Sequence, residues 1–151
     1  MRGVVRMDVI KTLADKRREK RWNFERKLLQ DITLKDIEHQ YKQTFASSLS
    51  KQFIDSPMLV DPSLDIGIDA YLLGAGYSRF YQYGENEQQA KSRAEDELTD
   101  LSFDMFNLLM CWTESGEHYG DQLGIACDVY VDQLWQKGFQ MGAKRYRMKL
   151  H

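Results

Sequence analysis

Proline is scarce: two residues in 151, Pro57 and Pro62. That shortage fits long helices joined by short connections. Cysteine is equally rare, and Cys111 and Cys127 both fall within helical patterns with no C-x-x-C spacing. Buried free thiols are therefore expected in preference to a disulfide. Histidine is limited to His39, His118 and His151. A di-metal helical bundle needs Glu-x-x-His pairs on two helices and glutamates on two others, all turned inward. The sequence holds no Glu-x-x-His. Its nearest approaches are Asp36-x-x-His39 and Glu114 four residues before His118. No metal and no other cofactor is expected. No window reaches the 18 or so apolar residues of a membrane span. Arg2 and Arg6 precede no long apolar run of the kind a secretory signal requires. These absences point to a cytoplasmic protein without a transmembrane segment. Gly74-Ala75-Gly76 lacks the preceding strand and the lysine of a phosphate loop, and no helix-turn-helix or zinc-finger pattern occurs.

What is present is enough for a core. Apolar residues make up 42% and aromatic residues 12% of the chain, and one domain of this size buries about 68–70% of its unfolded surface. The stretch Asp61–Gly84 reads as the helix around which the others are arranged. Asp61 suits an N-cap, Pro62 the first helical position, and Asp65 the first turn. Leu64, Ile68, Leu72 and Phe80 recur on one face, with Gly76 in the gap. Gly67, Ala70, Gly74 and Ser78 form a stripe of small side chains. Each glycine inside a helix costs roughly 1 kcal/mol relative to alanine. Gly67, Gly74 and Gly76 therefore call for a close neighbouring backbone, a kink or ligand groove, or a break into two helices.

Four further segments have helical periodicity. Met7–Gln30 carries Ile10, Leu13 and Ala14 early and Trp22, Phe24, Leu28 and Leu29 late, separated by the wholly polar Asp15–Arg21. A protruding basic helix over residues 1–30 and a joint between two helices both fit that pattern. Thr33 can cap the next helix, with Asp36 imitating a capping box. Its face is Leu34, Ile37, Tyr41, Phe45 and Leu49, and Asp55-Ser56-Pro57 stops it. Residues 58–60 are expected to plug the core before the central helix. Glu85–Trp112 reads as one helix about 40 Å long, through Ala90, Ala94, Leu98, Leu101, Met105, Leu108 and Trp112. Glu114–Asp121 is expected as a loop. The last helix, Gln122–Met148, repeats the small stripe with Gly138 and Gly142, which suggests pairing it with the central one. The expected fold class is all-α: a single-domain bundle of about five helices, residues 1–151, around a buried, glycine-containing central helix.

The net charge of −2 hides a division. Residues 1–27 carry ten Lys/Arg against four Asp/Glu, and residues 137–151 carry five against none, while the intervening body is strongly acidic. Such ends either neutralise the body, within the fold or across a dimer, or meet nucleic acid or a membrane surface. Lys16, Arg17, Arg18, Lys20, Arg21, Lys144, Arg145 and Arg147 form the candidate basic surface. Asp65 and Asp69 share a helix face. They either face solvent and pair with basic residues, or line a cleft with Tyr71, Tyr77 and Arg79 in which a raised carboxyl pKa permits acid–base chemistry. The run Tyr77, Arg79, Phe80, Tyr81, Tyr83 is ordinary packing material, since base-stacking platforms are usually sheets.

The stretch GIDAYLLGAGYSRFYQYGE, residues 67–85, together with the ending GAKRYRMKLH, resembles an uncharacterised family of short proteins from Bacillus and its relatives. The resemblance implies a cytoplasmic helical protein and carries no activity over to any residue. The residues themselves favour a non-enzymatic interaction or regulatory module with a protein partner or self-association. A small-molecule binder or enzyme using the Asp65–Arg79 cleft is the second class. Nucleic-acid or membrane-surface binding through the basic ends is the third.

Overall fold

The computed structural model describes residues 34–111 and 116–148, with Arg26, Leu29 and Ile32 upstream; over residues 116–120 the backbone is described. The chain forms α1 (Leu34–Phe45), α2 (Lys51–Ile54), α3 (Pro57–Tyr77), a 3-10 helix (Ser78–Tyr83), α4 (Glu87–Arg93), α5 (Glu95–Met110) and α6 (Gly116–Arg147). No strand occurs among the described residues, and the architecture is an all-α bundle. The helix expected at Met7–Gln30 and the cap at Thr33 lie outside the described residues, save that Arg26 and Leu29 are helical.

α3 is central: it touches every other helix and the 3-10 segment. It begins one turn earlier than Asp61, with Ser56 at the cap position and Pro57 at the start. Ser-Pro and Asp-Pro offer the same signal here, and the earlier start carries Leu59 into the core as part of the helix. Pro62 consequently sits inside α3. The hydrogen bond its ring removes would have gone to the carbonyl of Met58, an exposed residue whose backbone oxygen water can serve. The helix is also less buried than its composition suggests, because Asp61, Asp65 and Asp69 are exposed along one side. At its far end the α-helix tightens into the 3-10 segment, which Gly84 closes in the left-handed region (φ 89°). The Glu85 N–H reaches back to the Phe80 carbonyl at 3.2 Å, as in other glycine-closed helix ends.

The stripes of small residues on α3 and α6 meet each other, as their spacing suggests. A Cβ on Gly74 would fall within 2.7 Å of the Trp135 carbonyl carbon, and one on Gly138 within 2.8 Å of the Tyr71 carbonyl carbon. Gly142 receives Ser78 and the Ala75 carbonyl in the same manner. Here the glycines let two backbones touch. Around that seam pack Ile37, Tyr41 and Phe45 of α1, Met105 and Leu109 of α5, and Leu123, Cys127, Tyr130, Val131 and Leu134 of α6. Tyr41, Phe45 and Tyr130 form a tilted and edge-on aromatic trio with centroids 5.6–6.2 Å apart. Trp135 stacks on Phe139 at 5.3 Å, with Ala90 and Ala94 packed in the same cluster. Leu34, expected on the buried face of α1, is 60% exposed.

Two further expectations are corrected. The single helix over Glu85–Trp112 is two, broken at Ala94 (φ −92°, ψ 4°). Asn86 and Gln89 form a reciprocal capping box at 2.8 and 3.0 Å that starts α4. Glu95, Asp96 and Glu97 supply the first-turn negative charge that favours a fresh N-terminus at α5. Apolar periodicity runs straight through this break because Ala90 and Ala94 are both buried. Of the loop expected over Glu114–Asp121, the described part is helical, for α6 is already formed at Gly116. Adding residues to a formed helix is easy where nucleating one is costly, and that outweighs Gly116 and Gly120.

Candidate functional site

α6 buries one side against α3 and leaves the other open between α1 and the α4–α5 pair. On the α1 side lies a groove of about 850 Å³, lined by Gln40, Gln43 and Thr44 of α1 and by Ile125, Val129, Gln133, Gln136, Lys137 and Gln140 of α6, among others. Its polar wall is pre-set by hydrogen bonds. Gln40 donates to Thr44 Oγ1 (3.2 Å) and to Gln133, and it accepts from Lys137 Nζ (3.1 Å). Gln140 donates to Glu87 at 3.2 Å. Ile125 and Val129 stand in its open floor, 64% and 39% exposed. Apart from Lys137 the lining is uncharged. Amides that donate and accept equally well suit a polar peptide edge. They supply neither a nucleophile nor a proton-transfer group.

A second groove of about 540 Å³ runs along the other flank of the same face, between α4–α5 and α6, and shares Val129. Its walls carry the Lys91–Asp132 ion pair and a hydrogen bond from Ser102 Oγ to Asp128. Leu98 and Val131 join Val129 as its apolar members.

The groups with shifted proton affinity lie elsewhere. Burial, with a smaller push from Asp128, raises the Cys127 thiol to about 12, so it stays protonated and inert. Burial likewise raises Tyr41 to about 12. The neighbouring Ser63 hydroxyl opposes that shift, yet neither hydroxyl has a partner in hydrogen-bond geometry. Burial prevails, because both atoms are enclosed. Tyr130 is raised further by burial, and its hydroxyl donates to the Ser63 carbonyl at 2.7 Å. These groups brace the core.

The residues singled out from the sequence are dispersed. Asp65 and Asp69 are exposed on the outer side of α3; partial burial and then the Asp65 charge raise the Asp69 carboxyl. Tyr71 is buried beside Ala75. Tyr77 donates to Glu97, which raises its hydroxyl more than burial does. Arg79 and Arg93 lie over the Phe80 ring at 5.0 and 4.7 Å, and Arg93 also grips Glu85 at 2.9 and 3.0 Å. None of these five candidates, Asp65, Asp69, Tyr71, Tyr77 and Arg79, lines either groove. Lys144, Arg145 and Arg147 occupy the last turn of α6, where the helix dipole favours cations. Lys16, Arg17, Arg18, Lys20 and Arg21 lie outside the described residues. Among the described residues no group of three or more His, Cys, Asp or Glu can hold a metal ion, and no helix is long and apolar enough to cross a membrane.

Sequence reasoning passed over the outer stripe of α6. Its signal was there: Gln122, Ile125, Val129, Gln133, Gln136 and Gln140 advance by three or four residues.

Comparison with known proteins gives a family match over residues 7–151, to the model described as "Protein of unknown function (DUF2521)". A relative from Bacillus subtilis (strain 168), "Uncharacterized protein YbaK", is 23% identical over 146 residues, covering 95% of this chain and 99% of the relative. No solved structure matches.

Proposed function

We propose a role that starts from one premise: the chain belongs to that family, whose description assigns no activity. It is a helical interaction module, and the outer face of α6 receives an elongated, amphipathic partner such as a helix. One observation carries this reading: Ile125 and Val129 stand exposed in an amide-walled groove along α6 whose single charged lining residue is Lys137. An amphipathic helix laid in such a groove would bury both and satisfy the glutamines. A cytoplasmic setting is part of the proposal and is supported by the exposed free thiol of Cys111.

The test is purification of tagged protein from its own cells, beside the Ile125→Glu variant, with washes at low and high salt. A stoichiometric protein retained at high salt by the wild type and lost by the variant supports the reading. A partner held equally by both overturns it for this face. Material lost at high salt and absorbing at 260 nm would transfer the assignment to nucleic acid on the basic ends, where Lys144 and Arg147 are exposed. The reading of Asp65, Asp69, Tyr71, Tyr77 and Arg79 as a small-molecule cleft has less support. Its carboxylates face outward while Tyr71 is enclosed.

A further inference from the structure

Two stretches far apart in sequence meet at one end of the bundle: the aromatic 3-10 segment Ser78–Tyr83 and the basic last turn of α6. A Cβ on Gly142 would fall 2.7 Å from the Ser78 Cβ, so α6 is seated directly on that segment. Tyr146 lies about one turn further along the same side of α6. Burial raises its hydroxyl most, Arg79 opposes that shift and Tyr83 adds to it, so both side chains are its neighbours. Counting at about 100° per residue, Arg145 stands about 60° to one side of Gly142. Arg147 stands about 140° to the other, on the exposed side of the tip.

The surface so formed is positive and aromatic. Residues 77–84 and 140–148 hold four cations, Arg79, Lys144, Arg145 and Arg147, and no Asp or Glu. Arg79, Lys144 and Arg147 are exposed and make no ion pair among the described residues. The neighbouring carboxylates are committed to other groups: Glu85 to Arg93, Glu97 to Tyr77 and Glu87 to Gln140. The aromatic run was expected to be packing material, yet Tyr83 is 78% and Tyr81 39% exposed. Such rings offer stacking faces, and the guanidinium groups beside them are forks that match phosphate. Among the described residues of these two segments, Met148 is the only exposed aliphatic side chain. That leaves little to enter an acyl layer, and flat rings with forked cations suit bases and phosphates better.

We propose that this end of the bundle binds single-stranded nucleic acid, with Tyr83 and Tyr81 stacking on unpaired bases and Arg79, Arg145 and Arg147 holding the phosphates. Every base has a π-face, so such a surface tolerates many sequences, whereas a duplex keeps its bases stacked out of reach. The Arg79 guanidinium already lies over the Phe80 ring at 5.0 Å, which restrains it before a phosphate arrives. Arg145 is about 30 Å along α6 from Ile125, at 1.5 Å per residue. This surface and the α6 groove are therefore separate, and either proposal can fail without the other.

The test is fluorescence anisotropy of labelled oligothymidylate titrated with the purified full-length chain. About four phosphate contacts give a salt slope near −2.8, so affinity should fall about 50-fold between about 50 and about 200 mM salt. Tyr83→Ala, at a position too exposed to disturb the core, should weaken strand binding about tenfold. The same variant should bind heparin, a polyanion without bases, as the wild type does. Arg147→Gln should reduce the salt slope by about 0.7, whereas Lys51→Gln on α2 and Ile125→Glu should leave slope and affinity unchanged. No binding at about 100 μM protein and the lower salt would overturn the proposal. Equal or tighter binding of a duplex of the same length, or a Tyr83→Ala protein that binds the strand as the wild type does, would also overturn it. So would adsorption to phosphatidylserine vesicles in preference to the strand, which would assign this end to a membrane surface.

Discussion

Gly74 and Gly76 lie two residues apart on α3 and have opposite surroundings. Gly74 is pressed against the backbone of α6 at Trp135, whereas a Cβ on Gly76 would meet nothing within 4 Å. α6 repeats the contrast: Gly138 abuts the Tyr71 carbonyl, and Gly124 faces open space. The inner seam and the outer faces therefore obey different rules although they share the same helices and the same residue type. In the seam the absence of a side chain lets two backbones meet. On the outside it brings only the conformational cost of glycine.

The sharpest way to break this contrast is to place a methyl group in the seam. Gly138→Ala would set a Cβ against a backbone carbonyl that cannot swing aside. A destabilisation of about 3 kcal/mol is expected, at the upper end of overpacking. In a thermal melt it would appear as a fall of about 6–12 °C in Tm.

A smaller effect separates the buried groups from the exposed ones by pH. The folded Cys127 thiol titrates near 12 against 9.0 for an ordinary thiol. Between those values the unfolded chain gives up its proton while the folded chain keeps it. Stability is thus fully present below pH 9 and declines as pH rises toward 12. Tyr41, raised from 10.0 to about 12, adds to the same decline from pH 10 upward. Melts at pH 8 and 10 should differ by about 1 kcal/mol through Cys127, and Cys127→Ala should flatten that difference. An alkaline decline identical in the variant would remove Cys127 as its source.

The smallest effect has the opposite sign. Gly76→Ala meets no atom and should raise stability by about 0.5–1 kcal/mol through helix propensity and a less disordered unfolded chain. Tm should rise by about 2 °C. A fall would mean that the outer face of α3 is covered at that point.

The seam was legible because glycines and small residues four apart on two helices have one economical explanation. The start of α3 was less so, since Ser56-Pro57 and Asp61-Pro62 carry the same local signal and only the burial of Leu59 decides between them. The break at Ala94 was hidden by an apolar rhythm that continues across it, and the run Glu95–Glu97 was the overlooked cue. Asp65 and Asp69 could have been placed outside from the sequence alone, because helical geometry sets them nearly opposite Gly67 and Gly74. The α6 groove escaped for another reason. Glutamine side chains belong to no catalytic or metal-binding pattern, and whether Ile125 and Val129 are covered depends on where α1 and α5 come to rest.

Gly74 and Gly138 are 64 positions apart along the chain, and bringing such distant points together costs about 4 kcal/mol of loop-closure entropy. That cost is recovered only when the whole seam is zipped, because backbone surfaces without side chains offer no partial grip. Fraying at the N-terminal tip of α3 leaves it untouched, whereas parting it exposes Trp135, Tyr130 and Tyr71 together. The two helices are thus expected to open and close as a single cooperative unit.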